Sequence, residues 1–245
     1  MSSIKKLPKI LAIQNGKQDP PHLVGQWLEE IGFEIQVIKA FSGAEVPDVV
    51  PTGICAVIPM GGSMSATDDE VAPWLPAERA LLSDAIQRDI PIFAICLGAQ
   101  LLAAATDGEV TRAETGEIGL HSITFNETAN TDPVFESVTK LFPVPVTQWH
   151  EDLVSKLPSS ATVLASSELC PNQVYRIGAN TYAVQFHPEV DGELVHEWEI
   201  HADNAFKSSG RSDVSTEIHD AEEALVATWK PVLQKWGEQV LAQLN

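Results

Sequence analysis

Cys96 stands in the stretch Pro91-Ile92-Phe93-Ala94-Ile95-Cys96-Leu97-Gly98-Ala99-Gln100, a setting that opens nucleophilic chemistry to a thiol. Residues 92–95 are apolar and follow a proline, the pattern of a short buried strand. Residues 99–105 are rich in helix formers. Cys96 therefore falls on the turn between strand and helix, where unpaired backbone N–H groups and the helix dipole stabilise a thiolate over a thiol. Gly98 lets the backbone bend sharply and keeps bulk away from the sulfur, which makes the stretch the cysteine counterpart of the Gly-x-Ser-x-Gly nucleophile elbow. A sulfur nucleophile attacking an amide also needs a base to carry the proton, a group to orient that base and donors for the oxyanion. His187 and Glu189 supply base and orienter on one corner, because Pro188 ends a strand and fixes its own φ. Backbone N–H groups of Gly61-Gly62 and of Leu97 can supply the donors. Taken singly, Cys96 also fits a small core residue and His187 a hydrogen-bonded turn histidine.

The elements that must position these residues alternate. Residues 9–14 form an apolar run ending at Asn15-Gly16, a first strand and turn. Leu23, Val24, Trp27, Leu28 and Ile31 recur at helical spacing after Pro20-Pro21 and before Gly32. Residues 33–38 and 54–58 are further strands, the second running into Pro59-Met60-Gly61-Gly62, and a helix spans 78–89. Thr67 and Glu70 have capping-box spacing. Strand–helix alternation predicts a parallel, doubly wound sheet with its ligand site at the carboxyl ends of the strands, where both Cys96 and the glycine pair lie. Beyond Gly108 the pattern turns to short β-rich segments at 121–125, 144–148, 161–165, 173–177 and 181–186. Some of these are expected to form a small antiparallel layer and the last to rejoin the main sheet. Helices follow at 194–205 and 216–244, joined by the polar linker 207–212. The stripe Ile218, Ala221, Leu225, Trp229, Val232, Trp236 and Val240 reads as packing, with a kink expected at Pro231.

With 15 Lys+Arg against 34 Asp+Glu, the 245-residue chain carries a formal charge of −19, which repels nucleic acid and anionic membrane surfaces. Cys55, Cys96 and Cys170 are an odd, widely spaced set with no zinc-type spacing, so neither a disulfide framework nor a bound metal is expected. No cofactor is expected either. No stretch has the length of a signal peptide core or a membrane span, and the chain reads as a cytoplasmic protein.

Three separated stretches carry a resemblance. Met60-Gly61-Gly62-Ser63-Met64-Ser65, Cys96-Leu97-Gly98-Ala99-Gln100 and Gln185-Phe186-His187-Pro188-Glu189 resemble the class I glutamine amidotransferase family, most closely its small stand-alone members similar to the glutaminase part of GMP synthase. The likeness spans about residues 10–190. It implies an α/β three-layer sandwich: a flavodoxin-like, mostly parallel sheet with a small antiparallel layer and a helical C-terminal tail. Residues 1–206 would form the amidotransferase-like domain and 207–245 a helical extension packed on it.

The resemblance further implies hydrolysis of the γ-amide of glutamine through a γ-glutamyl thioester on Cys96, with His187 as base and then acid and Glu189 as orienter. Gly62 and Leu97 become the oxyanion donors, beside Gly61, and Gln100 helps hold the substrate. Trp149-His150-Glu151-Asp152 is similar to a Trp-His-Gly-Asp stretch of the family and puts His150 at the pocket wall, with a surface loop as the other reading.

The chain departs from the family at Glu151, at Leu120 and at Thr106-Asp107-Gly108, which leaves the γ-substituent open. A Glu151 carboxylate beside the pocket would disfavour an anionic leaving group or select a cationic one. The segment after Val190 lacks a Gly-rich phosphate loop, so ammonia would serve a separate synthetase chain. A free-standing γ-glutamyl hydrolase or peptidase is the alternative, and a non-catalytic binding protein of the same fold the third reading.

Overall fold

The computed structural model describes residues 6–201 and 209–244. The end of the helix expected at 194–205, the start of the 207–212 linker and the 206/207 boundary lie outside the described residues.

Among the described residues, nine strands form one mixed sheet in the order β2-β1-β3-β4-β9-β8-β7-β5-β6. Strands β1 (Lys9–Gln14), β2 (Glu34–Lys39), β3 (Ile54–Pro59), β4 (Ile92–Ile95) and β9 (Thr181–Val184) pair in parallel. Their order, two-one-three-four and then the last, is that of the flavodoxin-like sheet. β1 and β4 are buried almost throughout, as strands covered on both faces must be. β2 is the edge and is mostly exposed.

Helices cover both faces. α1 (His22–Glu30), α4 (Gly192–His201) and α5 (Val214–Gln243) share one apolar core with the sheet, while α2 (Leu75–Gln87) and α3 (Leu97–Ala104) share the other. The tryptophan stripe of α5 is core packing: Trp229 lies 4.5 Å from Phe186 and Trp236 5.5 Å from Phe93, ring centre to ring centre. Their indole N–H groups donate to the carbonyls of Pro145 and Asn180, so the polar edge of each buried ring is satisfied. α5 runs as one helix through Pro231.

The antiparallel strands continue the order beyond β9. β8 (Val174–Ile177) joins β9, β7 (Ala161–Ser166) follows, and β5 (Glu109–Phe125) links β7 to β6 (Val144–Lys156). β5 and β6 are far longer than the short segments expected, because residues 109–118 and 149–156 pair with each other although their mixed polarity carries no clean alternation. The Trp149-His150-Glu151-Asp152 stretch is thus strand, not surface loop. α2 begins at Leu75, after turns spanning the residues with capping-box spacing.

Candidate active site

Cys96 leaves β4 with φ 51° and ψ −108°, outside the regions an L-residue favours. Such backbone costs roughly 1–3 kcal/mol and is tolerated where its surroundings fix it. Here the Cys96 N–H donates to the Val184 carbonyl at 2.9 Å, one step past the β4–β9 ladder, and the Cys96 carbonyl accepts from the Gln100 N–H. The elbow is therefore held from the strand side and the helix side at once.

Gly98 serves a different end from the one the sequence suggests. Its φ is not positive, and a Cβ there would stand 2.1 Å from the Pro59 carbonyl oxygen. The glycine lets α3 start hard against the end of β3. The same close approach explains the paired glycines: a Cβ on Gly61 would meet His187 Cε1 at 2.9 Å, and one on Gly62 would meet the Leu97 side chain at 2.8 Å.

Because β4 and β9 are neighbours, the turns that follow them bring Cys96 and His187 together. His187 is buried, its Nδ1 lies 2.8 Å from Glu189 Oε1, and Cys96 is near enough for its sulfur to act on the charge of the imidazole. Its backbone N–H donates to the Thr147 carbonyl, and its ring stands edge-on to Trp198 at 4.7 Å. Burial works to lower the pKa of His187, but the Glu189 carboxylate and the Cys96 sulfur more than offset it and hold the imidazolium well above the ordinary histidine range.

The expected site residues converge on one cavity of about 410 Å³. Cys96, His187, Gly62, Gln100 and His150 line it, while Gly61 and Leu97 sit against that lining and Glu189 is fully buried behind His187. Gln100 donates to the Asp152 carbonyl at 2.9 Å and to Gln185 Oε1 at 3.3 Å. His150 is buried, with Nε2 3.3 Å from Glu117 Oε2 and Nδ1 2.9 Å from the Asp152 carbonyl. Burial raises the Glu117 carboxyl, but the neighbouring His150 imidazole and Ser167 hydroxyl bring it below the usual carboxylate range. Glu151 lines the cavity as a paired carboxylate: Arg112 forms an ion pair with it and stands 4.0 Å from Asp152.

Three residues of the site escape a reading of the sequence. Gln185 Nε2 points at Cys96 Sγ at 3.6 Å, and its period-two offset from His187 on the same strand end is an available signal. Asp19, on the loop after β1, lines the cavity beside His187. Burial pushes its carboxyl up to about 6, against the His187 charge and with that of Glu189. Glu78 of α2 is fully buried and accepts from Asn15 Nδ2 at 3.3 Å; burial pushes it up to about 8. Asn15 in turn donates to the Met60 carbonyl and accepts from Trp74 Nε1, so it pins the start of the glycine loop.

A buried cysteine–histidine–carboxylate arrangement at the carboxyl edge of a flavodoxin-like sheet defines a class of α/β protein equipped for nucleophilic chemistry. The chain belongs to the class I glutamine amidotransferases, whose family model matches residues 11–202. It is 31% identical to the putative glutamine amidotransferase-like protein YfeJ of Salmonella typhimurium, over 69% of this chain and 71% of that one. It is 31% identical to one subunit of the glutamine-hydrolysing GMP synthase of Thermoplasma volcanium (75% and 84%), and 34% identical to gamma-glutamyl peptidase 3 of Arabidopsis thaliana (43% of each). It spans 31% and 37% of two longer GMP synthases. The crystal structure of a glutamine amidotransferase from Thermotoga maritima superposes with a TM-score of 0.80 at 25% identity, covering 95% of this chain and 99% of that one.

Proposed function

We propose that the chain hydrolyses the γ-amide of glutamine through a γ-glutamyl thioester on Cys96. The observation that carries this is the convergence of the Cys96 sulfur and the His187 imidazole in one cavity, with the Glu189 carboxylate buried behind the imidazole at 2.8 Å from its Nδ1. The sulfur anion attacks the amide carbon, forming a C–S bond, and the oxyanion that results is met by the N–H groups of Gly62 and Leu97. Leu97 opens α3, where backbone N–H groups have no partner within the helix. The intermediate collapses as the C–N bond breaks, and the His187 imidazolium gives its proton to the departing nitrogen. Water then attacks the thioester, His187 takes its proton, and glutamate leaves as the sulfur regains its electron pair. Glu189 keeps the imidazole in the required tautomer and stabilises its charged form.

On the β6 side, Arg112, Glu151 and Asp152 offer both signs of charge to the α-amino and α-carboxylate groups of the substrate, and Gln100 stands beside them. We infer that the ammonia serves a separate synthetase chain, a reading supported by the relative named as one subunit of a GMP synthase. A second reading, hydrolysis of larger γ-glutamyl amides, is favoured by the gamma-glutamyl peptidase relative and by the stretch of cavity beyond His187, along residues 16–19 and 63–65. Steady-state rates with glutamine and with γ-glutamyl amides test both: turnover of glutamine in the wild type and its loss in Cys96→Ala are expected. Undiminished turnover in Cys96→Ala would overturn the proposal.

A further inference from the structure

The cavity runs along the carboxyl edge of the sheet and the nucleophile divides it. Loops after β1 and β3 lie on one side of Cys96, in the order of the sheet, and the β5–β6 pair lies on the other. If the zwitterionic head of a γ-glutamyl substrate occupies the β6 side, the group cleaved from the carbonyl must lie on the β1 and β3 side. The chemistry of that side has no part in the triad, and one residue dominates it.

Asp19 is held by a tight turn, its N–H donating to the Gly16 carbonyl at 3.2 Å. Its carboxylate folds back so closely that a Cβ on Gly16 would overlap Oδ2 at 2.0 Å. The other oxygen, Oδ1, reaches toward the catalytic corner: it lies 3.6 Å, and His187 Cε1 2.9 Å, from the point where a Cβ on Gly61 would stand. No described residue donates a hydrogen bond to this carboxylate, and it lines the cavity. Trp198, whose indole donates to the Gln18 carbonyl, ties the same loop to α4.

The other charged groups around it do not cancel it. Lys17 is exposed at the rim, Asp68 accepts from the Ser65 N–H, His201 is tied to the Glu197 carbonyl of its own helix, and Glu189 is engaged with His187. A carboxylate that flanks the same glycine as the proton-donating imidazole thus faces whatever the imidazole protonates.

We propose that Asp19 is the residue that selects the leaving group: this site takes γ-glutamyl amides whose departing amine is ammonia, uncharged, or carries a second positive charge, and rejects those whose amine carries a carboxylate. The proposal rests on the reading of Cys96 as the nucleophile and narrows its substrate class. It disfavours γ-glutamyl dipeptides, whose departing amino acid would bring its carboxylate against that of Asp19. The bonds made and broken are those of the hydrolysis above, so Asp19 forms no bond with the substrate and transfers no proton.

The test separates this claim from the reading beneath it. Alkylation of Cys96, followed by peptide mass spectrometry, is timed with neutral iodoacetamide, anionic iodoacetate and cationic 2-bromoethylamine in the wild type and in Asp19→Asn. Ratios between reagents cancel any change in the reactivity of the sulfur itself. At pH 7.5 the iodoacetate-to-iodoacetamide ratio should rise about three- to tenfold in Asp19→Asn and the 2-bromoethylamine ratio should fall comparably, the range expected for one charge at this distance in a wet site. At pH 5 the two proteins should converge, since the carboxyl titrates near 6. A weaker hold on the His187 proton in the variant would move the iodoacetate ratio the opposite way. In the same direction, kcat/KM for γ-glutamylglycine relative to γ-glutamylmethylamide should rise in Asp19→Asn. Ratios equal in the two proteins at pH 7.5 overturn the assignment of Asp19 while leaving the nucleophile intact. Alkylation of Cys96 no faster than that of Cys55 overturns the nucleophile and the selection together.

Discussion

At Cys96 a strained backbone, a neighbouring amide and a charged imidazole meet on one sulfur, and each makes a separate demand on the chain. In the proposed reaction Glu189 sets the orientation and charge of His187, so Glu189→Gln should lower kcat/KM for glutamine by about 10²-fold or more. It should also move the alkaline limb of the pH–rate profile toward lower pH, because the imidazolium loses the carboxylate that holds its proton. The sign is fixed by the raised pKa of His187: the ion pair persists as pH climbs through neutrality and is lost only when the imidazole deprotonates above it. A Glu189→Gln profile with its alkaline limb in place and only its height reduced would show that the carboxylate acts on geometry alone. The three residues that meet at the cavity are legible in the sequence because each sits in a local pattern, strand–turn–helix for Cys96 and a proline-fixed corner for His187 and Glu189. Asp19 is not, since nothing local distinguishes a loop aspartate until the sheet brings it beside His187, and Gln185 is marked only by its two-residue offset from His187.

Close approach between elements explains the glycines and the buried acid behind them. Gly98→Ala would drive a methyl group into the Pro59 carbonyl at 2.1 Å, and separating α3 from β3 to make room should cost about 1–3 kcal/mol or more and displace the elbow. Chemical denaturation with a parallel assay of activity checks this, and a variant with unchanged stability and turnover contradicts it. Local spacing marks Gly98 but misassigns its reason, since a contact between segments far apart along the chain leaves no trace in the neighbouring residues. Glu78 makes a prediction of its own. Its carboxyl is ordinary in the unfolded chain and titrates near 8 when folded, so between those values the folded protein binds the extra proton and stability falls as pH rises. Glu78→Gln, neutral at every pH, should remove that slope and be more stable than the wild type at pH 8 by about 2–4 kcal/mol, with little difference at pH 4. Parallel stability profiles for the two proteins would mean that Glu78 is charged in the fold.

For the molecule as a whole, the sheet order puts the loops of β1, β3, β4 and β9 along one edge, and two helical layers leave that edge open. The alternation of strands and helices over residues 9–105 announces this architecture, as does the tryptophan stripe that seals α5 onto the sheet. The length of the β5–β6 pair is hidden because its residues are half exposed and break the two-residue alternation that marks a strand. Trp236 is fully buried against Phe93 of β4, so Trp236→Ala should cost about 3–5 kcal/mol, and a denaturation midpoint close to that of the wild type would show α5 to be dispensable packing. In the proposed reaction Cys96 carries the glutamyl group during turnover. Rapid quenching of the protein with saturating glutamine in acid, then peptide mass spectrometry, should find a glutamyl adduct on the peptide bearing Cys96 and none on those bearing Cys55 or Cys170. Turnover of glutamine with no such adduct, or with the adduct on another residue, would contradict it.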